Sequence, residues 1–317
     1  VTLRQLTYFL EISRQGSFLK AAQTLYIAQS ALSHQIALLE QELGAVLFHR
    51  SRRGVELTQA GDVLQAHAGS ILRQVQDARS SIASLTATPA GRVVVGIPHS
   101  VSNALALPLL QLVRAQLPNV DLELTEELTG NLFRQLSAGQ LHMAVLFDDG
   151  TLDDLEVTPL VNEALSLISP ADLAPKRRTI SLQDALMMPL ILPASPHGVR
   201  PIIETASARL GLSKVNVVAD ISSISILRTS LLAGMGHTLL PVMPLKADID
   251  SGALKVTAIK GLSLVRTVCL CRSPYNPPSA AASSVWQALI GLSSALRKSG
   301  QWPGASAVKL DPPPSLV

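Results

Sequence analysis

Aromatic residues are almost absent: Phe, Tyr and Trp make up 3% of the 317 residues, against 47% for the apolar set as a whole. Any core must therefore be packed from Leu, Val, Ile and Ala. A chain of this length and apolar share supports two or three domains rather than one. Cysteine is equally scarce, with only Cys269 and Cys271. They make no disulfide framework, which suits a reducing compartment. Their C-x-C spacing in a strand-like run puts both on one strand face, as two small buried apolar side chains. Metal or redox use lacks the further ligands it needs.

Long apolar runs are missing too. No stretch approaches the ~18 residues of a membrane span without Pro, Gly or several polar residues inside it. Arg4, Glu11 and Arg14 interrupt the first residues, so no secretory leader is expected, no membrane partner, and a cytoplasmic location. Catalytic signatures are also lacking: there is no G-x-S-x-G, phosphate loop or H-E-x-x-H, and the seven histidines are scattered one per segment. An enzyme is therefore not expected, and neither is a cofactor or metal. The net charge of +3 is unevenly placed: residues 1–92 hold nine Lys/Arg and six Asp/Glu, and the other 225 hold 17 of each. An excess confined to the first third suits a nucleic-acid module joined to a neutral one.

What is present begins with helical spacing of Leu3, Leu6, Phe9 and Leu10 over residues 3–14. Ser17 caps a second helix to about Leu25, and a third runs from Gln29 to Leu43, closed by Gly44. Strand-like pieces 47–50 and 54–57 flank the basic tip Ser51-Arg52-Arg53. This is the outline of a winged helix-turn-helix over residues 1–58. Next, Leu64, Ala68, Ile71, Val75, Ala78, Ile82 and Leu85 recur at alternating steps of four and three. That 3.5-residue period predicts a dimerisation seam on a linker helix over 59–87, with a hinge at 88–92. From 93 to about 300, strand and helix signals alternate in two successive α/β units with a cleft between them. Lobe I takes 93–162 and 266–298, and lobe II takes 163–265. Strands 254–259 and 264–271 look hairpin-like, and residues 301–317 look disordered.

Positions 17–61 carry a family resemblance: Ser17-Phe18, Ala21-Ala22, Leu25, Gln29-Ser30-Ala31-Leu32-Ser33, Ile36, Leu39-Glu40, Leu43-Gly44, Leu47-Phe48, Arg50, Gly54-Val55, Leu57-Thr58 and Ala60-Gly61. Together they resemble the DNA-binding domain of LysR-type transcriptional regulators. The segment Ile27–Ser33 is most similar to the nitrogen assimilation control-like subgroup. The resemblance implies base and phosphate contact by Gln29, Ser30, Ser33 and His34, and minor-groove or phosphate contact by Arg50, Arg52 and Arg53. Side-chain chemistry agrees, since Gln can bond adenine bidentately and Ser can donate or accept. The competing reading makes these ordinary solvated side chains. The target implied is double-stranded DNA with an interrupted palindrome, bound by a dimer or a tetramer that contacts RNA polymerase.

The C-terminal part resembles the family's effector-binding domain, similar to periplasmic solute-binding proteins, in which a small molecule sits between the lobes. Loops rich in hydroxyls lie at its predicted strand ends. Ser100, Val101, Ser102, Thr129, Ser195, His197 and Ser222 are the expected contacts, in a setting that suits a carboxylate or another small anion. Each serine has a plainer reading as a helix cap. A stand-alone solute-binding protein does not account for the winged module.

Overall fold

The computed structural model describes residues 1–51, 54–83, 88–194, 198–212, 214–261 and 264–308. The expected contacts Arg52, Arg53, Ser195 and His197, and linker residues 84–87, lie outside the described residues, as do tail residues 309–317.

Helices α1 (Leu3–Gln15), α2 (Phe18–Thr24) and α3 (Gln29–Leu43) precede a two-stranded wing, β1 (Phe48–Ser51) and β2 (Gly54–Leu57), paired antiparallel. Thr2 and Ser17 cap the first two helices through their side chains, and Gly44 closes α3 in the left-handed region. Leu6, Phe9, Ile12, Ala21, Ala22, Leu32, Ile36 and Leu39 fill the space between the helices. Phe48 docks the wing on that core against the rings of Phe9 and Phe18. The wing is further tied by the Val55 N–H, which donates to Gly16 O at 3.0 Å.

The linker helix α4 (Gln59–Ala83) starts on Thr58, whose Oγ1 accepts the Gly61 N–H at 3.0 Å. A Cβ at Gly61 would lie 2.3 Å from Leu47 O, so only glycine lets the helix start this close to the wing. The predicted seam divides here. Ala68 is fully buried in the winged core, so it serves its own domain and not a partner, and the half-buried Leu64 packs against that core. Ile71, Ala78 and Ile82 stay exposed, Val75 half-buried.

Lobe I follows: β3 (Gly91–Pro98), α5 (His99–Gln116), β4 (Val120–Glu127), α6 (Thr129–Ser137), β5 (Met143–Asp148) and β6 (Glu156–Ala164). The chain then builds lobe II from β7 (Ser166–Pro170), β8 (Thr179–Ser181), α7 (Leu182–Met187), β9 (Leu190–Leu192), α8 (Arg200–Arg209), β10 (Val217–Asp220), α9 (Ile224–Leu232), β11 (Thr238–Leu240), α10 (Lys246–Asp250) and β12 (Leu254–Lys260). It returns to lobe I with β13 (Val265–Arg272), α11 (Ala280–Lys298) and β14 (Ala305–Ser306). The lobe I sheet has the order β14-β6-β13-β5-β3-β4. Residues of α5 and α11 pack on one face of it, and α6 covers the other, where Cys269 and Cys271 are buried. Lobe II holds β11-β7-β12-β8 and the pair β10-β9, joined by a bridge between Leu190 and His237.

Two expectations are corrected, and one strand, β6, is added to those expected. Strands β12 and β13 are not a hairpin, because β12 pairs with β7 and β8 in lobe II while β13 pairs with β5 and β6 in lobe I. Their connection is one of the two strands of chain that cross between lobes; the other is Ala164–Leu165, where the Leu165 N–H donates to Leu264 O at 2.8 Å. Strand β6 carries no strand signal in the sequence, for Pro159 interrupts it; the ladder absorbs the proline at a register shift opposite Val268 and Cys269. Residues 301–308 are not a disordered tail. Trp302 is buried in the lobe I core, and β14 adds to the edge of β6.

Candidate functional site

The third helix presents its N-terminal turn to solvent. Leu32, Ile36 and Leu39 point into the core, while Gln29, Ser30 and His34 are exposed and Ser33 is half-buried. None of these four side chains has a hydrogen bond to another described residue, and no side chain caps the helix at Ala28. Its first backbone N–H groups are therefore free for an anion, and the helix dipole favours one. Tyr26 precedes it at φ 54° and 95% exposed, an outlier that sequence reading missed. An unburied aromatic ring held in the left-handed region beside this helix joins the candidate DNA-facing surface. Arg50 lies on β1 beside the tip.

The cleft between the lobes has two connected parts. A tight one of about 60 Å³ is lined by His99, Ser100, Glu127, Thr129, Ser222 and Arg266, among others. A larger one of about 610 Å³ continues past Phe133, Asp148, Asp149, Ile202 and Arg209. Thr129, Phe147, Gly198 and Arg266 line both. The helices α5, α6 and α8 all begin at the cleft, and none has a side-chain cap. Their open N–H groups, the hydroxyls and one guanidinium edge make the tight part a donor-rich pocket.

Arg266 is the residue that sequence reading should have flagged: a cation near the start of the apolar strand β13, fully buried where Arg272 at the other end is not. Its side chain is 2% exposed and that of Glu163 is 1% exposed. Arg266 Nε and Nη2 donate to Glu163 Oε2 at 2.8 and 2.6 Å, and Nη2 also donates to Ser100 Oγ at 3.0 Å. Trp302 Nε1 donates to the other carboxylate oxygen at 2.7 Å, and the guanidinium lies 3.8 Å from the Phe147 ring centre. Both charges sit beside the crossings between lobes, on β13 and β6. Ser100 is thus oriented from behind by a fully compensated ion pair.

The structure brings together Ser100, Thr129 and Ser222 from the expected set. Val101 is corrected: α5 begins at His99, because Pro98 already has the extended backbone of a helix cap. That start turns the Val101 side chain into the lobe I core. Ser102 does not line the cleft cavities; its hydroxyl donates to Glu126 and to His99 O, at 3.1 Å for the latter. Ser222 stays open to the cleft because its neighbour Ser223 is the one that caps α9.

The two thiols are out of reach. Burial pushes Cys269 up to about 12 and pushes Cys271 up as well, so neither is a thiolate near neutrality. Among the described residues no cluster of His, Cys, Asp and Glu is placed to hold a metal ion, and no helix is long and apolar enough to cross a membrane.

A helical DNA-reading module joined to a two-lobed domain with a donor-lined cleft defines a ligand-responsive DNA-binding regulator. Residues 3–62 match the bacterial regulatory helix-turn-helix protein, lysR family, and residues 86–292 match the LysR substrate binding domain. The chain belongs to the LysR family of transcriptional regulators. It is 34% identical over 295 residues to the nitrogen assimilation regulatory protein nac of Klebsiella aerogenes, covering 93% of this chain and 96% of that one. To the protein of the same name in Escherichia coli K12 it is 30% identical over 306 residues, covering 95% and 99%. The fold is shared with a full-length OxyR variant of Pseudomonas aeruginosa (TM-score 0.72, 23% identity, 98% and 99% of the two chains). It is shared also with full-length CbnR in complex with its target DNA (TM-score 0.70, 20% identity, 92% and 100%).

Proposed function

We propose that this regulator is a cytoplasmic, non-enzymatic dimer, or a tetramer assembled from two dimers, that binds an interrupted palindrome and answers to a small anion held between its lobes. Gln29, Ser30, Ser33 and His34 read bases or bind phosphate, with Arg50, Arg52 and Arg53 on the wing. Ile71, Val75, Ala78 and Ile82 form the dimer seam, and RNA polymerase is the partner that the DNA-bound assembly contacts. The observation that carries the effector half is the meeting of three uncapped helix N-termini with the hydroxyls of Ser100, Thr129 and Ser222. That arrangement suits a carboxylate, each charge-assisted hydrogen bond to it contributing about 1.5–3 kcal/mol. The apolar body of such a ligand fits the larger compartment, whose volume lies within the range of small-molecule sites. Ligand acts only through a difference in affinity between two placements of the lobes.

The test is a thermal-shift screen of the full chain against aliphatic and aromatic carboxylates. A true ligand raises Tm by mass action on the folded state, and Ser100→Val removes the shift. Its unliganded Tm is expected to be lower, because the Arg266 guanidinium loses Ser100 Oγ as an acceptor, while operator affinity stays near that of the parent. If no carboxylate raises Tm, or if Ser100→Val shifts as much as the parent, the hydroxyl loops are helix starts and nothing more.

A further inference from the structure

The linker helix does not merely pass lobe I; it is pinned to it by a buried polar contact. Asp77 of α4 faces His142, the residue immediately before β5, and the two side chains are 13% and 6% exposed. His142 Nδ1 accepts the Val94 N–H of β3 at 2.9 Å, and its Nε2 lies 3.2 Å from Asp77 Oδ1. A ring nitrogen that accepts an N–H carries no proton of its own. The ring is therefore neutral, with its single proton on Nε2 and donated to Asp77. The His142 backbone closes the arrangement, its N–H donating to Val94 O at 3.0 Å.

Packing of the neighbouring turn against the linker is close, beside a small cavity that Asp77, His142 and Arg73 line. A Cβ at Gly139 would lie 2.2 Å from Ser70 Oγ, so the turn before β5 touches the linker with no room for a side chain. One turn before Asp77 on the same helix, burial pulls the Arg73 guanidinium below its ordinary value, against the Asp77 charge that raises it. An ion or hydrogen bond shielded from water in this way holds one geometry more firmly than an exposed pair does.

The position of the contact gives it a use. His142 immediately precedes β5, and Val94 is the fourth of the eight residues of β3. The far ends of those strands carry Pro98, His99 and Ser100, and Phe147 and Asp148, all of which line the cleft. We propose that His142 is a positioning residue, which locks the linker helix to the two strands whose tips form the cleft and so sets the direction in which the DNA-binding module leaves lobe I. That a ligand uses this lock rests on the cleft reading above; the lock itself does not.

Electron–electron resonance distances between nitroxides at Arg79→Cys on α4 and Ala115→Cys on α5 test the lock, in full chains diluted with unlabelled chain. Cys269 and Cys271 are buried and do not compete for label. The parent is expected to give one narrow distance distribution. Asp77→Leu, which changes no residue of lobe I, is expected to broaden it at least twofold, as is His142→Ala. Asp77→Asn keeps an oxygen that accepts the Nε2 proton and is expected to keep the narrow distribution. A narrow distribution in Asp77→Leu overturns the proposal. So does Asp77→Asn broadening as far as Asp77→Leu, since a hydrogen bond would then not be the holding contact. Neither result bears on whether carboxylates enter the cleft, which the thermal-shift screen decides separately.

Discussion

Glu163 and Arg266 sit at the hinge with almost no water around them, and removing one partner leaves the other charge buried. Glu163→Gln is therefore expected to destabilise the chain by about 3–5 kcal/mol, whereas replacing both by apolar residues of similar size costs far less. Urea unfolding of Glu163→Leu, Arg266→Met and the double variant Glu163→Leu/Arg266→Met measures this as a cycle. Additive losses would contradict a coupled pair. The thiols make a second residue-scale prediction. With both pushed well above the ordinary thiol range by burial, Cys269 and Cys271 are expected to resist an aromatic disulfide reagent at pH 8 in the folded chain and to react together on unfolding. Fast reaction of either in the folded chain would show that lobe I opens around them. Their burial was legible from C-x-C spacing in an apolar strand. The pairing of Arg266 with Glu163 was not, because the two residues are 103 positions apart and meet only through the sheet.

The helices were legible where a cap and an apolar spacing agreed: α3 runs from Gln29 to Leu43 and is closed by Gly44, as the sequence predicts. Legibility failed where a single residue contradicted its surroundings, as Pro159 does in β6, or where composition misled, as in the stretch that contains Trp302. The linker shows a subtler limit. One continuous stripe of period 3.5 divides between Ala68, buried in the winged core, and the exposed Ile71, Ala78 and Ile82 that we propose as the dimer seam, since periodicity alone does not say what covers a face. The two halves should respond differently. Ala68→Leu overfills the winged core and is expected to cost about 1–3 kcal/mol with little change in the assembled mass. Ile71→Asp with Ile82→Asp, on the exposed half, is expected to lower the mass seen by light scattering to that of the protomer and to leave the folded winged domain intact. An unchanged mass would place the dimer interface elsewhere.

At the scale of the whole molecule, the division of charge seen in the sequence matches the division of labour. The basic excess belongs to the winged module and its linker, residues 1–92, and α3 of that module offers unpaired polar side chains and an open N-terminus. The neutral remainder houses the cleft, with its own charges largely paired, such as Arg266 with Glu163 and Arg272 with Glu156. The two functions are joined through α4 and its buried contact with lobe I. The most direct measurement of the central claim is the affinity of the full chain for an operator, found by footprinting its own genome, compared with random DNA across salt. If about 6–10 phosphates are contacted, operator affinity falls by roughly 10³-fold or more between 50 and 200 mM salt. Gln29→Ala is then expected to weaken operator binding by about 1–3 kcal/mol while leaving random DNA nearly unchanged. Binding that ignores salt, or a Gln29→Ala loss equal on both DNAs, would contradict recognition by the third helix.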